Sequence, residues 1–158
     1  MSQEKISFEQ FLDAVDSSSK AFIENLHSYL TNNNCKATFE KKKSGFIASY
    51  KFGKPPRAMA NVLFRKNGMF VRIYGENVNK YPDFLNTLPA EMVQPIAESG
   101  VCKRLVHNTC SPKCTGYDFF IGTEHFQKCR YNCFEFLVAD ANSAHIMAFI
   151  ENEINARG

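Results

Sequence analysis

The chain has 158 residues, of which 44% are hydrophobic, and its formal net charge is +3. This length suits one domain with one core, and the apolar content excludes a disordered chain. Fifteen Phe and six Tyr accompany no Trp, so aromatic rings are expected to supply much of the core volume. No stretch approaches the ~18 apolar residues needed to cross a membrane, and the first residues lack a signal-peptide pattern. We therefore expect a cytoplasmic protein with no membrane partner.

Positive charge is concentrated in one segment of the chain. Residues 36–72 contain ten Lys or Arg and a single Glu, which is a formal charge of +9. The flanking stretches 1–35 and 73–100 each carry −3. A segment of this polarity, interleaved with aromatic residues, is suited to anions and makes nucleic acid a possible partner. The simpler explanation is that the lysines at 41–43 protect a sheet edge from pairing with other chains.

Two helices are predicted at the start of the chain. Ser7 and Gln10 have capping-box spacing, and apolar residues then recur at helical intervals, which predicts a helix over 8–16. A second helix is predicted between the serines at 17–19 and the asparagines at 32–34. Its apolar stripe consists of Phe22, Ile23, Leu26, Tyr29 and Leu30.

Strand patterns separated by turn residues follow, and they predict an antiparallel meander. The predicted strands are 37–43, 46–52, 57–66 and 69–74. Asn67-Gly68 lies between two apolar runs, and a two-residue loop at that position sets the register of the last two strands. The pairs that it predicts on the core face are Lys66 with Met69, Phe64 with Val71, and Val62 with Ile73.

The opposite face of the meander is the candidate ligand-binding surface, because it mixes aromatic, amide and basic side chains. Lys51 joins this face only if the loop at 53–56 has a suitable length, since a one-residue change moves every side chain of the preceding strand to the other face. The predicted ligand-binding residues are Arg72, Asn61, Tyr74, Phe70 and Lys51. Such a surface suits an anionic small molecule or a protein partner.

The rest of the chain is predicted to be helical around a cysteine-rich lobe. Residues 75–100 have a helical pattern that is interrupted at Pro82 and restarts near Pro89. A strand is predicted over 130–138 and a last helix over 140–156. No linker divides the chain, so residues 1–158 are predicted to form a single domain. Its parts are an α+β core at 7–100, a Cys-rich lobe at 101–138 and the C-terminal helix at 140–156.

Five of the six cysteines fall within 32 residues. In a reducing compartment this clustering favours metal binding over disulfides. Zn²⁺ takes four tetrahedral N or S ligands, and Cys110 and Cys114 flank a Ser-Pro turn with suitable spacing. Iron or an Fe–S cluster is a less favoured alternative to zinc. The predicted ligands of a structural zinc ion are Cys102, Cys110, Cys114 and Cys129.

Cys133 is excluded from this set by the predicted strand. On an extended chain the α-carbons of Cys129 and Cys133 would be about 13 Å apart at ~3.3 Å per residue, and one metal ion cannot bind both. Only a turn at residues 131–132 would allow it. His107 and His125 lie in the same region, so a site of three Cys and one His stays open. Without a metal, the cysteines would be small buried hydrophobic residues.

Enzyme function is not favoured by the motifs. The chain has no Gly-rich phosphate loop, no paired-His metalloprotease motif and no Gly-x-Ser-x-Gly elbow. A nucleophilic cysteine such as Cys35 would need a nearby His and carboxylate, and no local motif supplies them. A binding module is therefore the favoured class, with a nucleic-acid-binding zinc protein and an iron-handling or thiol-redox protein as alternatives.

The first hundred residues resemble the YdhG-like family of small bacterial domains. The resemblance rests on SFEQFLDAV, on NNNCKATFEKKKSGFIASYKFGK and on FRKNGMFVRIYG, and it covers about residues 7–96. It implies an α+β fold of the frataxin-like or secretion-chaperone-like kind, and it makes iron handling an alternative function because that role has been proposed for some members. The cysteine-rich segment has no counterpart in the family pattern and is interpreted as an addition with its own metal.

Together these patterns predict an α+β protein in which an N-terminal helix pair packs on a four-stranded antiparallel meander. A Cys-rich metal-binding lobe and a final helix complete the predicted fold. The predicted function is that of a small intracellular zinc-binding module, which binds an anionic small ligand or a protein partner on the mixed face of its sheet.

Overall fold

A computed structural model of the protein describes residues 4–42, 45–66, 68–100, 116–130 and 133–157. Within these ranges the chain forms five α-helices, one short 3-10 helix at Val78–Lys80, and eight β-strands. The helices are α1 (Phe8–Asp13), α2 (Lys20–Asn32), α3 (Pro82–Leu85), α4 (Ala90–Glu98) and α5 (Asp140–Arg157). The strands are β1 (Glu4–Ile6), β2 (Cys35–Lys42), β3 (Gly45–Phe52), β4 (Arg57–Arg65), β5 (Gly68–Ile73), β6 (Tyr117–Ile121), β7 (Glu124–Lys128) and β8 (Glu135–Leu137).

Six of the strands form one antiparallel sheet in the order β1-β2-β3-β4-β5-β8. The α+β class and the predicted meander are confirmed, since β2 to β5 pair in sequence order. The prediction of a four-stranded sheet is wrong because β1 and β8 extend the meander at its two edges. Strands β6 and β7 form a separate hairpin, which the sequence reasoning did not predict.

The register of the β4–β5 hairpin differs from the prediction. Arg65 pairs with Gly68 and Phe64 pairs with Met69, so each partner lies two residues away from the predicted one. Gly68 belongs to β5, and β8 packs tightly over it. A Cβ atom added to Gly68 would lie 3.2 Å from Leu137 Cδ1. Because the shift is two residues, every side chain keeps its predicted face.

One face of the sheet packs against α1 and α2. The predicted capping box is present, with the Gln10 N–H donating to Ser7 Oγ at 3.1 Å and the Ser7 N–H donating to Gln10 Oε1 at 2.9 Å. From the apolar stripe of α2, Leu26 and Leu30 are almost fully buried. The partly buried His27 ring stacks on Phe8 with its centroid 3.9 Å away.

The final helix α5 packs on the same side of the sheet. Its residues Ile146, Phe149 and Ile150 are fully buried, as the apolar pattern of 140–156 predicted. The predicted strand over 130–138 is wrong, because only Glu135–Leu137 pairs with β5. The Cys133 N–H donates to the Cys129 carbonyl at 3.0 Å, so Cys129 and Cys133 lie closer together than they would on an extended strand. No helix of the described residues is long and apolar enough to span a membrane.

Candidate functional site

The five predicted ligand-binding residues lie on one face of the sheet, the face opposite α1 and α2. Asn61 and Arg72 are direct cross-strand partners. The Tyr74 hydroxyl donates to Asn61 Oδ1 at 2.6 Å, and Asn61 Nδ2 donates to Ser49 Oγ at 3.1 Å. Strand alternation places Lys51 on the same face as Ser49, which answers the question that the loop at 53–56 left open.

Most polar groups on this face are already hydrogen bonded to one another. Asn61 is 8% exposed and Tyr74 is 5% exposed, so their mutual bond is buried. Arg72 Nη2 and Arg65 Nη2 both donate to Glu135 Oε1, at 3.2 Å and 2.8 Å. Asn61 and Tyr74 therefore belong to one hydrogen-bonded group with Ser49, and Arg72 belongs to another with Arg65 and Glu135. Exposed Lys51 and half-buried Phe70 are left as the groups that face solvent.

A cavity of about 470 Å³ lies at the end of this sheet, next to the β3–β4 turn. We call it the cationic cavity, because its walls from segments 52–57, 76–80 and 156–157 carry four basic side chains and one carboxylate, a formal charge of +3. The basic residues are Lys54, Arg57, Lys80 and Arg157, and the carboxylate is Glu76.

Glu76 joins the basic side chains of this end of the molecule. Its carboxylate accepts from Arg57 Nη2 and from Arg130 Nη2, each at 2.9 Å, and Arg157 Nη2 lies 3.8 Å away. Arg57 is the outermost partner, with two thirds of its side chain exposed. Three guanidinium groups therefore surround one carboxylate, and one of them, that of Arg157, is also paired with Glu153 at 2.8 Å.

The rear wall of the cavity is fixed by Glu153 on α5, which is fully buried. Its carboxylate accepts from the Asn77 N–H at 3.1 Å, from Asn77 Nδ2 at 2.9 Å, from Arg157 Nε at 2.8 Å and from the Tyr81 hydroxyl. Burial and the neighbouring Glu153 carboxylate raise the pKa of Tyr81 far above its usual range, so this phenol stays protonated and donates.

Arg157 is also held from the sheet side. Its Nη1 donates to the Ala58 carbonyl at 3.0 Å and its Nη2 to the Tyr74 carbonyl at 2.8 Å. Only 8% of its side chain is exposed. Arg157 therefore connects α5 to the sheet through its hydrogen bonds. The exposed Lys54 and Lys80 are the cations that can move towards a ligand.

Two further cavities adjoin the cationic cavity. The Cys35 cavity, of about 390 Å³, shares Phe52, Gly53 and Lys54 with it and adds residues 34–36. The Tyr117 cavity, of about 290 Å³, shares Arg57, Glu76 and Asn77 and adds residues 116–117. We refer to the three together as the groove.

Two titratable side chains of the groove are held neutral by burial. Burial raises the pKa of the Cys35 thiol to about 11, which leaves it protonated at neutral pH. It also raises the pKa of Tyr117 far above its usual range. The Tyr117 hydroxyl is buried and has no hydrogen-bonding partner among the described residues. These groups line the groove without adding negative charge to it.

The rim of the groove carries a cross-strand pair of like charges. Lys36 lies directly opposite Lys51, and both side chains are exposed. In the part of the chain that the structure describes, neither lysine has a carboxylate partner, and the same is true of Lys54 and Lys80. Like charges placed opposite each other destabilise a sheet, so this arrangement favours an anion that compensates them.

The predicted zinc ligands are only partly described. Cys102, Cys110 and Cys114, together with His107, lie outside the described residues. Cys129 is half-buried, and the described ranges contain no group of three or more His, Cys, Asp or Glu residues arranged to hold a metal ion. The zinc site stays a prediction.

The hydrogen bond from the Cys133 N–H to the Cys129 carbonyl removes the geometric argument that excluded Cys133, because that argument assumed an extended chain. Cys133 is 1% exposed, and burial raises the pKa of its thiol well above the usual value. His125 Nε2 is 2.5 Å from Asp118 Oδ1, and its ring stacks on exposed Phe120. His125 therefore has a carboxylate on one ring nitrogen, as zinc-binding histidines often do, and it stays an alternative ligand.

Sequence reasoning missed the residues that build the groove: Glu76, Arg130, Glu153, Arg157 and Tyr117. One signal was available, because Glu153 falls between Ile150 and Ile154 on the buried stripe of the predicted last helix. A carboxylate on a buried stripe requires hydrogen-bonding partners. No family model, no curated protein and no solved structure matches this chain, so the YdhG-like resemblance stays a prediction.

Proposed function

We propose that the protein is a binding module for an anionic ligand, which it holds in the groove at the end of the sheet. The observation that carries this proposal is a cavity of about 470 Å³ whose lining has a formal charge of +3 and whose exposed lysines have no carboxylate partner among the described residues. Ligand sites in proteins typically have volumes of about 300–1,000 Å³, so the cavity is large enough for a small molecule.

Electrostatics favours an anion here despite the helix terminus nearby. The C-terminal end of α5 contributes Ala156 and Arg157 to the wall, and a helix C-terminus carries a partial charge of roughly −0.5. That partial charge is small beside the +3 of the lining. At an effective dielectric constant near 20, one unit charge 4 Å from another contributes about 4 kcal/mol before screening by salt.

The proposal keeps the ligand class that the sequence predicted and moves the ligand from the sheet face to the groove. Lys51 connects the two places, because it lies on the sheet face and opposite Lys36 of the groove rim. The binding roles predicted for Arg72, Asn61 and Tyr74 become supporting roles, since their polar groups hold the sheet face together. Phe70 stays a candidate contact for a larger ligand or a protein partner.

Calorimetric titration with inorganic phosphate at low ionic strength tests the proposal. Exchange of Lys54 and Lys80 for Gln removes two charges, and we expect affinity to fall about 10-fold or more. Lys66→Gln is the matched control, because Lys66 is exposed beyond the far end of β4, about 30 Å from Arg57 at ~3.3 Å per residue. Equal losses in both variants, or no binding at Kd values up to about 1 mM, would contradict the proposal.

A single-stranded oligonucleotide in the same titration examines the nucleic-acid alternative. Binding to nucleic acid releases condensed counterions, so affinity should fall steeply as salt rises from 50 to about 200 mM. If the oligonucleotide binds with a steep salt slope and inorganic phosphate does not compete with it, the rim lysines Lys36 and Lys51 serve nucleic acid instead of a small anion.

We also propose that the cysteine-rich segment holds one structural zinc ion through Cys102, Cys110, Cys114 and Cys129. What supports this is that Cys129 is partly exposed and that its carbonyl accepts from the Cys133 N–H, which makes Cys133 an alternative ligand close to Cys129. Elemental analysis of protein purified without added metal should find about one zinc per chain, without visible absorbance.

Cys129→Ser should lower the zinc content, and Cys35→Ser is the matched control because Cys35 lies in β2. Iron with charge-transfer bands would instead support an iron or Fe–S centre and the iron-handling alternative. Metal-free protein that is folded and reduced would contradict every form of the metal proposal.

A further inference from the structure

The cationic cavity and the Cys35 cavity meet at a shared wall with two different sides. Phe52, Gly53 and Lys54 belong to both cavities. On one side are the basic groups Lys54, Arg57 and Lys80. On the other side lie Asn34, the neutral Cys35 thiol and Lys36, so an elongated ligand would contact a cluster of basic groups at one end and a less strongly charged surface at the other.

The shared wall is held in place before any ligand arrives. The Gly53 N–H donates to the Asn34 carbonyl at 3.1 Å, which ties the β3–β4 turn to the start of β2. Gly53 has φ +80° and Asn34 has φ +67°, so both residues adopt the left-handed conformation that this connection requires. Preorganisation of this kind lowers the entropy lost on binding.

Phe52 gives the Cys35 cavity a preference for planar rings. Its side chain is half-buried and lines both cavities, as that of Lys54 does. Planar rings stack on phenyl groups, and basic side chains beside a ring pair also favour such stacking. An aliphatic ligand would gain only the hydrophobic part of this contact.

The cationic cavity favours a phosphate over a carboxylate. Three separate basic side chains, Lys54, Arg57 and Lys80, surround one space. A phosphate monoester has a charge of about −1.5 to −2 at pH 7 and three acceptor oxygens, so it can contact all three groups at once. A carboxylate has one charge and two oxygens.

We propose that the groove binds a phosphate monoester that carries a planar ring, with the phosphate in the cationic cavity and the ring against Phe52 in the Cys35 cavity. This inference rests on the proposed anion-binding function and names the ligand class of the same site. The combined space of the two cavities suits a ligand the size of a nucleoside monophosphate.

Calorimetric titration with two matched probes tests this inference. AMP and ribose 5-phosphate share a sugar and a phosphate group and differ in the base. Stacking of a base on an aromatic side chain is expected to make AMP bind at least about fivefold more tightly. Phe52→Leu should reduce that ratio to about 1 by weakening AMP binding far more than ribose 5-phosphate binding, with circular dichroism confirming that the variant is folded.

The comparison of AMP with ribose 5-phosphate on the unmodified protein tests the ring-binding inference even if Phe52→Leu does not fold. Equal affinities of the two probes, both weakened by loss of Lys54 and Lys80, would overturn the ring-binding inference and leave the anion-binding proposal standing. An AMP preference that persists in folded Phe52→Leu protein would overturn the assignment of the ring to this cavity. If neither probe binds, both proposals fail.

Discussion

Glu153→Gln tests the buried network that forms the rear wall of the groove. Glu153 is fully buried and accepts four hydrogen bonds from three residues, Asn77, Tyr81 and Arg157. Glutamine keeps the shape of the side chain and one oxygen, but its NH₂ group cannot accept from the donors that faced the second oxygen. Arg157 would then lose its closest carboxylate while only 8% of its side chain is exposed.

The expected cost is large for a single isosteric change. Removing one partner of a buried ion pair typically costs about 3–5 kcal/mol, and the Glu76 carboxylate 3.8 Å from Arg157 moderates this towards about 3 kcal/mol. Domains of this size unfold with about 5–15 kcal/mol, so the variant should lose a considerable fraction of its stability.

Urea unfolding followed by circular dichroism measures the change in the free energy of unfolding. Glu151→Gln is the matched control, because Glu151 lies on the same helix with an exposed side chain and should stay within about 0.5 kcal/mol of the unmodified protein. A loss below about 1 kcal/mol for Glu153→Gln, or equal losses in both variants, would refute the reasoning that this network holds α5 to the rest of the groove.

Three further predictions follow from local contacts. Burial lowers the pKa of His27 in the folded protein, so the unfolded chain binds more protons as the pH falls through 6.5. The urea midpoint should therefore decrease when the pH is lowered from 7.5 to 5.5, and His27→Gln should make that decrease smaller. Gly75→Ala would place a Cβ 2.7 Å from Val78 Cγ1, and unfolding measurements should show a loss of about 1–3 kcal/mol, whereas an unchanged midpoint would contradict this packing. Burial raises the thiol pKa of Cys35 and Cys133, so both should react slowly with iodoacetamide at pH 7.5 in peptide mapping of the folded protein, and fast labelling of either would show that its burial is incomplete.

Local patterns sufficed for the elements that depend on neighbouring residues. The capping box at Ser7 and Gln10, the apolar stripe of α2 and the buried stripe of α5 were all recognisable from spacing alone. The four meander strands were recognisable for the same reason, because turn residues separate them. These features need no knowledge of what packs against them.

Long-range contacts explain the errors. The β4–β5 register differs from the prediction because Gly68 pairs with Arg65 as part of β5, where it lies close to Leu137, which is distant in sequence. The predicted strand over 130–138 was too long, because β8 begins only at Glu135 and the Cys133 N–H bonds to the Cys129 carbonyl, a contact that an extended chain cannot make. The candidate groove was missed because Glu76, Glu153 and Arg157 come together only in the folded structure. In the sequence Glu76 and Arg157 look like ordinary surface charges, and the position of Glu153 on a buried stripe was the one signal.

Arg157 also determines when during synthesis the groove can form. Its guanidinium binds the carbonyls of Ala58 and Tyr74, which lie 99 and 83 residues earlier in the chain. The meander can pair while the nascent chain is still emerging from the ribosome, because its strands are neighbours in sequence. The wall that Arg157 contributes to the groove cannot form until residue 157 has left the ribosomal exit tunnel. A stalled nascent chain that ends before α5 would therefore display the exposed lysines without the wall that turns them into a binding site.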